Sequence, residues 1–223
     1  MGPVDGYKKL RLMLQLGIDR MLRVRTADRE AAVLYGLPED LVGTYRVSGW
    51  LAIWRSIRAL RPTEDDVFLD VGSGPGRTVY VASRFPFRRV IGVERAKELH
   101  RLAEENLRNA RLPARAEVEL VCADIGEYSI PDDLTVVYLY NAIVDDVLEE
   151  FVRRLIASVE RVPRRVRIAY FNPQHEPRIL AGGRGRIRKI GRLHNALRLE
   201  PERARTYETV LYEIVPTPQT SRG

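Results

Sequence analysis

Residues 70–94 read DVGSGPGRTVYVASRFPFRRVIGVE, and this stretch decides the fold. It begins inside one apolar run, VFLDVG (67–72), and ends on a second, VIGVE (90–94). Short runs that are almost wholly apolar are typical of strands covered on both faces, as in a parallel sheet. Glycines that follow such a strand let the backbone approach a ligand closely, because they carry no Cβ. Three glycines occupy alternate positions here: Gly72, Gly74 and Gly76.

Strand and helix patterns alternate along the rest of the chain. The predicted strands are 67–72, 90–94, 118–124, 135–141 and 166–171, with a further strand near 187–193 and a closing strand at 209–215. Amphipathic helices are predicted near 78–84, 96–110 and 146–160. Because the crossovers between parallel strands are right-handed, this order predicts a doubly wound α/β fold with a mostly parallel sheet.

The residues before the first strand are predicted to be helical. Apolar residues recur at helical spacing over 7–24 and 46–60, and a short helix is predicted at 27–36. Pro62 ends the last of these helices, since proline also biases the preceding residue away from helical angles. Trp50 and Trp54 are expected in the core.

No low-complexity linker divides the chain, so the helices are expected to dock on the core of the sheet. The predicted organisation is an N-terminal helical lid and acceptor region at 1–62, a ligand-binding sheet domain at 63–216, and a flexible tail at 217–223. The apolar stripe from Leu10 to Leu22 suits either that docking or a homodimer contact, and the pattern leaves both open.

The composition is that of an ordinary globular protein, with 45% hydrophobic and 30% charged residues. No apolar run approaches the ~20 residues that a membrane helix requires, and charges interrupt the apolar N-terminus. We therefore expect no membrane partner and no signal peptide. Cys122 is the single cysteine. It indicates a reducing cytoplasm and is expected to pack as a small buried residue.

The formal net charge is +7, and arginine supplies most of the positive charge. An anionic partner such as RNA or an acidic protein would suit it. An arginine-rich composition is equally typical of a GC-rich bacterial genome. The segment AGGRGRIRKIGR (181–192) is predicted either as a hairpin with solvated charges or as a basic loop for an anionic acceptor.

The spacing of the glycines separates two kinds of adenosyl ligand. A nicotinamide or flavin fingerprint, G-x-G-x-x-G, would place its third glycine at position 77, which is Arg77. The chain instead has Asp70-x-Gly72-x-Gly74-x-Gly76. This pattern resembles motif I of the class I S-adenosylmethionine-dependent methyltransferases, and the resemblance covers roughly residues 63–175. It implies a Rossmann-like seven-stranded fold and S-adenosylmethionine as the cofactor.

The resemblance implies a role for each polar residue at a strand end. Asp70 is expected to orient the methionine end through its ammonium group, and Glu94 to accept the ribose hydroxyls. Asp124 is expected to take the adenine amino group, with Ile125 against the ring, and Asn141 to border the transferable methyl. The implied cofactor-binding set is Tyr45, Asp70, Gly72, Ser73, Gly74, Gly76, Glu94, Asp124, Ile125 and Asn141. Tyr45 and Ser48 are expected within reach of the methionine carboxylate, because they come just before the tryptophan-bearing helix.

The fourth strand departs from the amino-directed members of the family. Those enzymes carry an Asn/Asp-Pro-Pro-aromatic turn, whereas this chain has Asn141-Ala-Ile-Val. The chain also shows a local similarity to non-SET histone-lysine methyltransferases and is most similar to small bacterial methyltransferases of unassigned acceptor. Asn141 and His175 are the predicted catalytic residues. His175 follows the fifth strand, where it is either a general base or an exposed loop residue.

No cluster has metal-ligand spacing, so no metal is predicted. The pair Asp145 and Asp146 resembles the magnesium ligands of some catechol methyltransferases, but it more simply begins a helix, where negative charge is favourable. The leading hypothesis is methyl transfer to a small-molecule acceptor, in secondary metabolism. The alternatives are a macromolecular acceptor, protein lysine or RNA, held by the arginine-rich C-terminal third; a non-catalytic S-adenosylmethionine-binding subunit; and a dehydrogenase.

Overall fold

Seven strands and six helices make up the part of the chain that the computed structural model describes, residues 3–26, 47–195 and 208–216. The helices are α1 (Pro3–Leu22), α2 (Trp50–Ala59), α3 (Arg77–Ala82), α4 (Lys97–Asn109), α5 (Asp145–Arg161) and α6 (Glu176–Gly183). The strands are β1 (Val67–Val71), β2 (Arg89–Glu94), β3 (Glu117–Cys122), β4 (Val136–Leu139), β5 (Val166–Phe171), β6 (Ile187–His194) and β7 (Glu208–Ile214).

The strands form one sheet in the order β3-β2-β1-β4-β5-β7-β6. The first five are parallel, and β7 runs antiparallel between β5 and β6. This confirms the doubly wound, mostly parallel sheet. The carboxyl ends of β2, β1 and β4 are adjacent, and the chain order reverses between β1 and β4. In open α/β sheets, ligands bind at such a switch point.

Helices cover the sheet on both faces, so the strands are buried on both sides. Every residue of β1 is buried. Leu69 belongs to the core under α5, whereas Phe68 belongs to the core under α2 and α3. On β2, a Cβ at Gly92 would lie 2.6 Å from Cγ2 of Val79. Glycine at that position therefore allows α3 to pack directly against the sheet.

The N-terminal predictions are confirmed in part. α1 covers most of the predicted 7–24 helix, and α2 begins at Trp50 rather than near residue 46. The short helix predicted at 27–36 lies outside the described residues. Trp50 is half-buried against the core, but Trp54 is 42% exposed, so its expected place in the core is wrong. Trp54 is on the outer side of α2, whose inner face consists of Ala52, Ile53 and Ile57.

One further expectation is wrong, and the structure decides between the alternatives of another. Cys122 is exposed, not buried, because β3 is an edge strand in which no residue is fully buried. The segment 181–192 starts as the end of α6, a helix that the sequence did not predict, and continues into β6. The segment forms one strand of a β6–β7 hairpin, and its Arg188 makes a salt bridge with Glu213 of β7. No helix in the described part of the chain has the length and apolar character needed to cross a bilayer.

Candidate active site

A cavity of about 640 Å³ opens at the carboxyl ends of β1, β2 and β4. It brings together nearly all the predicted site residues that the structure describes. Those lining it are Ser48, Asp70, Gly72, Ser73, Gly74, Glu94, Asp124, Ile125, Asn141 and His175. Gly76 does not line the cavity, and Tyr45 lies outside the described residues.

The glycine turn is shaped by backbone angles that other residues rarely adopt. Gly72, Gly74 and Gly76 all have positive φ, at 71°, 52° and 83°. A Cβ on Gly72 would lie 2.2 Å from Cβ of Ala142, in the loop after β4. Gly76 instead faces Ala103 of α4, 3.1 Å from where its Cβ would be. It therefore serves helix packing, which explains why it is not part of the cavity wall.

Asp70, at the floor of the cavity, is a buried carboxyl without a full set of partners. Its Oδ2 has no hydrogen-bond partner among the described residues. Burial, and to a lesser degree the nearby Glu94, raises the pKa of Asp70 to about 8, while a hydrogen bond from Thr78 opposes the rise. A cation placed against Oδ2 would supply the missing partner and favour the ionised form.

Glu94 ties the glycine turn to the segment that leads into α4. Its Oε2 accepts a hydrogen bond from Gly74 N at 2.9 Å, and its Oε1 accepts one from Ala96 N at 2.8 Å. A carboxylate has about four lone-pair sites, so both oxygens keep acceptor capacity for hydroxyl groups. The side chain is buried at the end of β2 and is held in one orientation by these two amides.

Asp124 and Ile125 form the wall beyond β3. Asp124 is exposed, and its Oδ1 accepts a hydrogen bond from Gly126 N at 2.8 Å. Ile125 is buried and contributes apolar surface to the cavity. A carboxylate beside an apolar side chain suits a flat heterocycle with an amino group at its edge.

Asn141 joins the ends of β4 and β5. Its φ is 48°, its Nδ2 donates to the Asn172 carbonyl at 2.9 Å, and its Oδ1 accepts from the Tyr170 hydroxyl at 2.8 Å. Burial raises the pKa of Tyr170 to about 12, against a weaker lowering by the main-chain N–H of His175. Tyr170 therefore keeps its proton at neutral pH and remains a donor to Asn141.

His175 lies on the same wall, directly before α6. Its main-chain N–H donates to the Tyr170 hydroxyl at 3.3 Å, which links it to Asn141 through one residue. Its Nδ1 is 3.6 Å from Oδ1 of Asp145. The side chain is 26% exposed and lines the cavity, so a molecule bound in the cavity can contact it.

Arg77 is a cavity residue that was not predicted from the sequence to belong to the site. It is 1% exposed, and its guanidinium donates to Gln15 Oε1 (2.9 Å), to the Ser48 carbonyl (3.1 Å) and to Thr26. Asp19 of α1 completes the set at 3.3 Å. The available signal was an arginine directly after the glycine turn, but its hydrogen-bond partners lie between 29 and 62 positions away along the chain.

Among the described residues, no group of three or more His, Cys, Asp or Glu side chains could hold a metal ion. Asp146 is 3.2 Å from Arg178, and both aspartates of the pair lie in the first turn of α5. This placement agrees with a helix-start role for the pair. The absence of a metal cofactor stays a prediction.

A family model described as a methyltransferase domain matches residues 68–165. The fold is similar to that of a TehB-like SAM-dependent methyltransferase from Corynebacterium glutamicum, at 14% identity over 84% of this chain and 97% of that chain, with a TM-score of 0.53. It is also similar to M. jannaschii TYW2 in complex with AdoMet, at 15% identity over 78% of this chain and 80% of that one (TM-score 0.52).

A third similar structure is a SAM-dependent O-methyltransferase from Thermotoga maritima, at 19% identity over 76% of this chain and 66% of that chain, with a TM-score of 0.51. At these identities the likeness shows the fold alone. No curated protein matches the chain in sequence. The matched family model and the sheet order agree with each other: residues 68–165 are similar to a methyltransferase domain.

Proposed function

We propose that the protein transfers the methyl group of S-adenosylmethionine to an acceptor that enters the cavity beside Asn141 and His175. The observation that carries the proposal is the orphaned Oδ2 of Asp70 on the floor of that cavity, next to a glycine turn that a Cβ would fill. A buried carboxylate oxygen with no partner suits an ammonium group, and the open turn suits a ligand that approaches the backbone.

Each residue of the wall has one task in this proposal. Asp70 holds the ammonium of the methionine part, Glu94 accepts the ribose hydroxyls, and Asp124 accepts the adenine amino group beside Ile125. S-adenosylmethionine supplies an electrophilic methyl group on a sulfonium, whose sulfur keeps the electron pair when the acceptor displaces it. Positioning is the main contribution of such a site and can supply several kcal/mol, about 7–11 at best.

Asn141 and His175 face the acceptor in this proposal. Because both polar atoms of the Asn141 side chain are engaged by Tyr170 and Asn172, Asn141 holds the shape of the acceptor entrance and does not take a proton. His175 has a ring that no hydrogen bond shorter than 3.5 Å fixes among the described residues, and it is the group available to remove a proton from a hydroxyl or ammonium acceptor.

For the acceptor, we propose a small molecule as the first candidate. The cavity volume is within the range of small-molecule sites, about 300–1,000 Å³. The arginine-rich C-terminal third, on which the macromolecular alternative was based, is occupied by ion pairs: Arg188 and Arg165 with Glu213, and Arg192 with Glu208. A macromolecular acceptor is the second candidate, and an arginine-rich surface outside the C-terminal third favours it. A cytoplasmic location, a bacterial source and a homodimer remain predictions from the sequence.

Calorimetry with S-adenosylmethionine and with NAD tests the donor site directly. We expect binding of the first and none of the second, since the matched family disfavours a dehydrogenase. A radiolabelled-methyl assay on a size-fractionated cell extract, with and without nuclease and protease, then assigns the acceptor class. If the protein binds the donor but labels nothing in any fraction, the non-catalytic alternative replaces the proposal. If neither ligand binds, the donor site itself is wrong.

A further inference from the structure

Three arginine-rich segments that are far apart in sequence meet on the outside of the α3–α4 layer. They are RMLRVR (20–25), SRFPFR (83–88) and RNARLPAR (108–115), with eight arginines and no acidic residue. Their main chains are joined directly. Arg111 N donates to the Leu22 carbonyl at 2.9 Å and Arg115 N to the Ser83 carbonyl at 2.8 Å.

The Arg84 guanidinium also donates to the Pro113 carbonyl, so the second and third segments are joined twice. We call the surface formed by Arg23, Arg84, Arg108, Arg111 and Arg115 the arginine face. Within the described residues, none of these five has a carboxylate within salt-bridge distance. The neighbouring Arg25 pairs with Glu105, and Arg88 with Asp133.

This lack of ion pairing distinguishes the arginine face from the other basic part of the molecule. On β6, Arg188 and Arg192 lie beside Glu213 and Glu208. The positive charge of the β6 hairpin is therefore locally compensated, whereas that of the arginine face is not. A surface that concentrates uncompensated positive charge attracts polyanions.

An exposed aromatic side chain adjoins the arginine face. Trp54 of α2 is 42% exposed, and its ring centroid is 6.4 Å from that of Phe85, the residue after Arg84. The Arg58 guanidinium lies 4.9 Å from the centroid of the Trp54 ring. Tryptophan and arginine planes next to backbone-binding cations are the usual elements of single-strand recognition, since every base can stack on them.

The tryptophan also connects this surface to the cavity. α2 begins at Trp50, two residues after the cavity residue Ser48. Trp54 is four residues further on, about 6 Å along the helix axis at 1.5 Å per residue. Trp54 is therefore six residues along the chain from the cavity residue Ser48, and the last four of these residues make about one helical turn of α2.

We propose that a single-stranded nucleic acid binds across the arginine face and stacks a base on Trp54. The inference deepens the proposed function, on which it rests for the role of this ligand as the methyl acceptor or its carrier. An acidic protein would satisfy the charges equally well but would leave the exposed Trp54 and its stacked Arg58 without a role. The aromatic platform is what favours nucleic acid.

Fluorescence anisotropy with a labelled 15-nucleotide single-stranded RNA tests the proposal. With three to five phosphate contacts, log K should fall against log salt with a slope of about −2 to −3.5, at about −0.7 per contact. Arg111→Ala/Arg115→Ala should weaken binding at least tenfold and make the slope shallower by about 1.4. The matched control, Arg188→Ala/Arg192→Ala, removes two ion-paired arginines and should change affinity less than twofold.

Trp54→Leu separates stacking from charge. It should weaken RNA binding tenfold or more and leave the salt slope unchanged, with a melting temperature close to that of the wild type because the side chain is exposed. The same titration with a single-stranded DNA of identical sequence reports whether the protein contacts the ribose 2′-hydroxyl. A clear preference for RNA would identify the ligand as RNA. Equal affinities would mean that the arginine face binds single strands of either nucleic acid.

Three results would overturn the inference. The first is no RNA binding at 50 mM salt, and the second is an RNA affinity that does not change with salt concentration. The third is competition by polyglutamate that is as strong as competition by unlabelled RNA and is unaffected by Trp54→Leu. The last would assign an acidic protein. S-adenosylmethionine calorimetry on the same samples keeps this outcome apart from the proposed function. If the protein binds the donor but not RNA, only the proposal for the arginine face is contradicted. If it binds RNA but not the donor, only the proposal for the donor site is contradicted.

Discussion

Asp70 carries the strongest electrostatic signal of the site at the residue scale. Its carboxyl is 3% exposed, and burial raises its pKa to about 8, far above the ordinary 3.8. At pH 6 the free protein therefore holds Asp70 protonated. An ammonium ligand favours the ionised form, so binding below pH 8 must release the proton.

This linkage predicts that the affinity for S-adenosylmethionine rises with pH, by up to about tenfold per unit from pH 6 to pH 7, and levels off near 8. Calorimetry in two buffers with different ionisation enthalpies should show close to one proton released at pH 6.5. Asp70→Asn should bind the donor more weakly and lose this pH dependence. An affinity that is flat between pH 6 and pH 7.5 in the wild type would contradict the assignment of Asp70 to the ammonium.

Asp124 offers a test of the adenine end of the site, because it is exposed and accepts one hydrogen bond from Gly126. Asp124→Ala should weaken donor binding about tenfold or more, the worth of a hydrogen bond to a charged group. The free energy of unfolding should change by less than about 0.5 kcal/mol, as for other surface substitutions. Glu127→Ala, three residues away and also exposed, is the matched control and should bind normally. If Asp124→Ala binds S-adenosylmethionine with wild-type affinity, Asp124 does not bind the adenine amino group.

At the scale of elements, the glycine turn and the loop after β4 are one unit. A Cβ at Gly72 would lie 2.2 Å from Cβ of Ala142, and the φ of 71° is itself strained for other residues. Gly185, in the turn before β6, has a similar φ of 77° but no atom within 4 Å of its would-be Cβ. Substitutions at Gly72 and Gly185 therefore distinguish two effects: backbone strain occurs at both positions, whereas a steric clash occurs only at Gly72.

Gly72→Ala should lower the free energy of unfolding by more than Gly185→Ala does, with the backbone strain alone worth about 1–3 kcal/mol. It should also reduce donor binding below detection, since the displaced loop carries Asn141. Urea denaturation and calorimetry provide the two measurements, and Gly185→Ala should bind the donor normally. Equal losses in stability, with donor binding kept in both variants, would mean that the contact with Ala142 is relieved without consequence.

At the scale of the whole molecule, a buried ion pair attaches α1 to the part of the chain that forms the sheet. Arg77 and Asp19 are 3.3 Å apart, and their side chains are 1% and 3% exposed. Burial raises the pKa of Asp19, although Arg77 and the hydrogen bonds from Thr26 and Trp50 oppose the rise. The Arg77 guanidinium also lies 4.8 Å from the centroid of the Trp50 ring, so one side chain holds α1 and α2 to the glycine turn.

Arg77→Met should lower the free energy of unfolding by about 3–5 kcal/mol, because it leaves Asp19 buried without its cation. Asp19→Asn/Arg77→Met should recover part of the loss, since no unpaired charge then remains. Urea denaturation of both variants measures the difference. A double variant no more stable than Arg77→Met would show that the lost hydrogen bonds, and not the uncompensated charge, account for the effect.

The distribution of charge is also a property of the whole molecule. The arginines of the C-terminal third are the basis of the macromolecular alternative, but β6 and β7 place arginines beside glutamates there. Within the described residues, Arg23, Arg108 and Arg111 have no ion pair, and they lie where residues 20–25 and 108–115 meet. No local pattern indicated this, because the segments are distant in sequence and each alone resembles an ordinary solvated turn or helix end.

The positions of the strands, the doubly wound and mostly parallel sheet, and most of the cavity wall could be predicted from the sequence. Strands buried on both faces need continuous apolar runs, and the polar residue that ends each run must lie at the sheet edge; hence VRIAYF was predicted with the bounds that β5 has. Asp70, Glu94, Asp124 and Asn141 were found by the same reasoning, and their binding roles stay predictions.

The tertiary structure alone decided what depends on distant neighbours. Cys122 is exposed because β3 is the sheet edge, Trp54 because α2 turns its other face inward, and Arg77 is buried because α1 brings Asp19 and Gln15 to it. Periodicity reports which residues of one element share a face, but not which element covers that face. Burial and ion pairing arise only when separate elements pack together, and so they cannot be read from a local pattern.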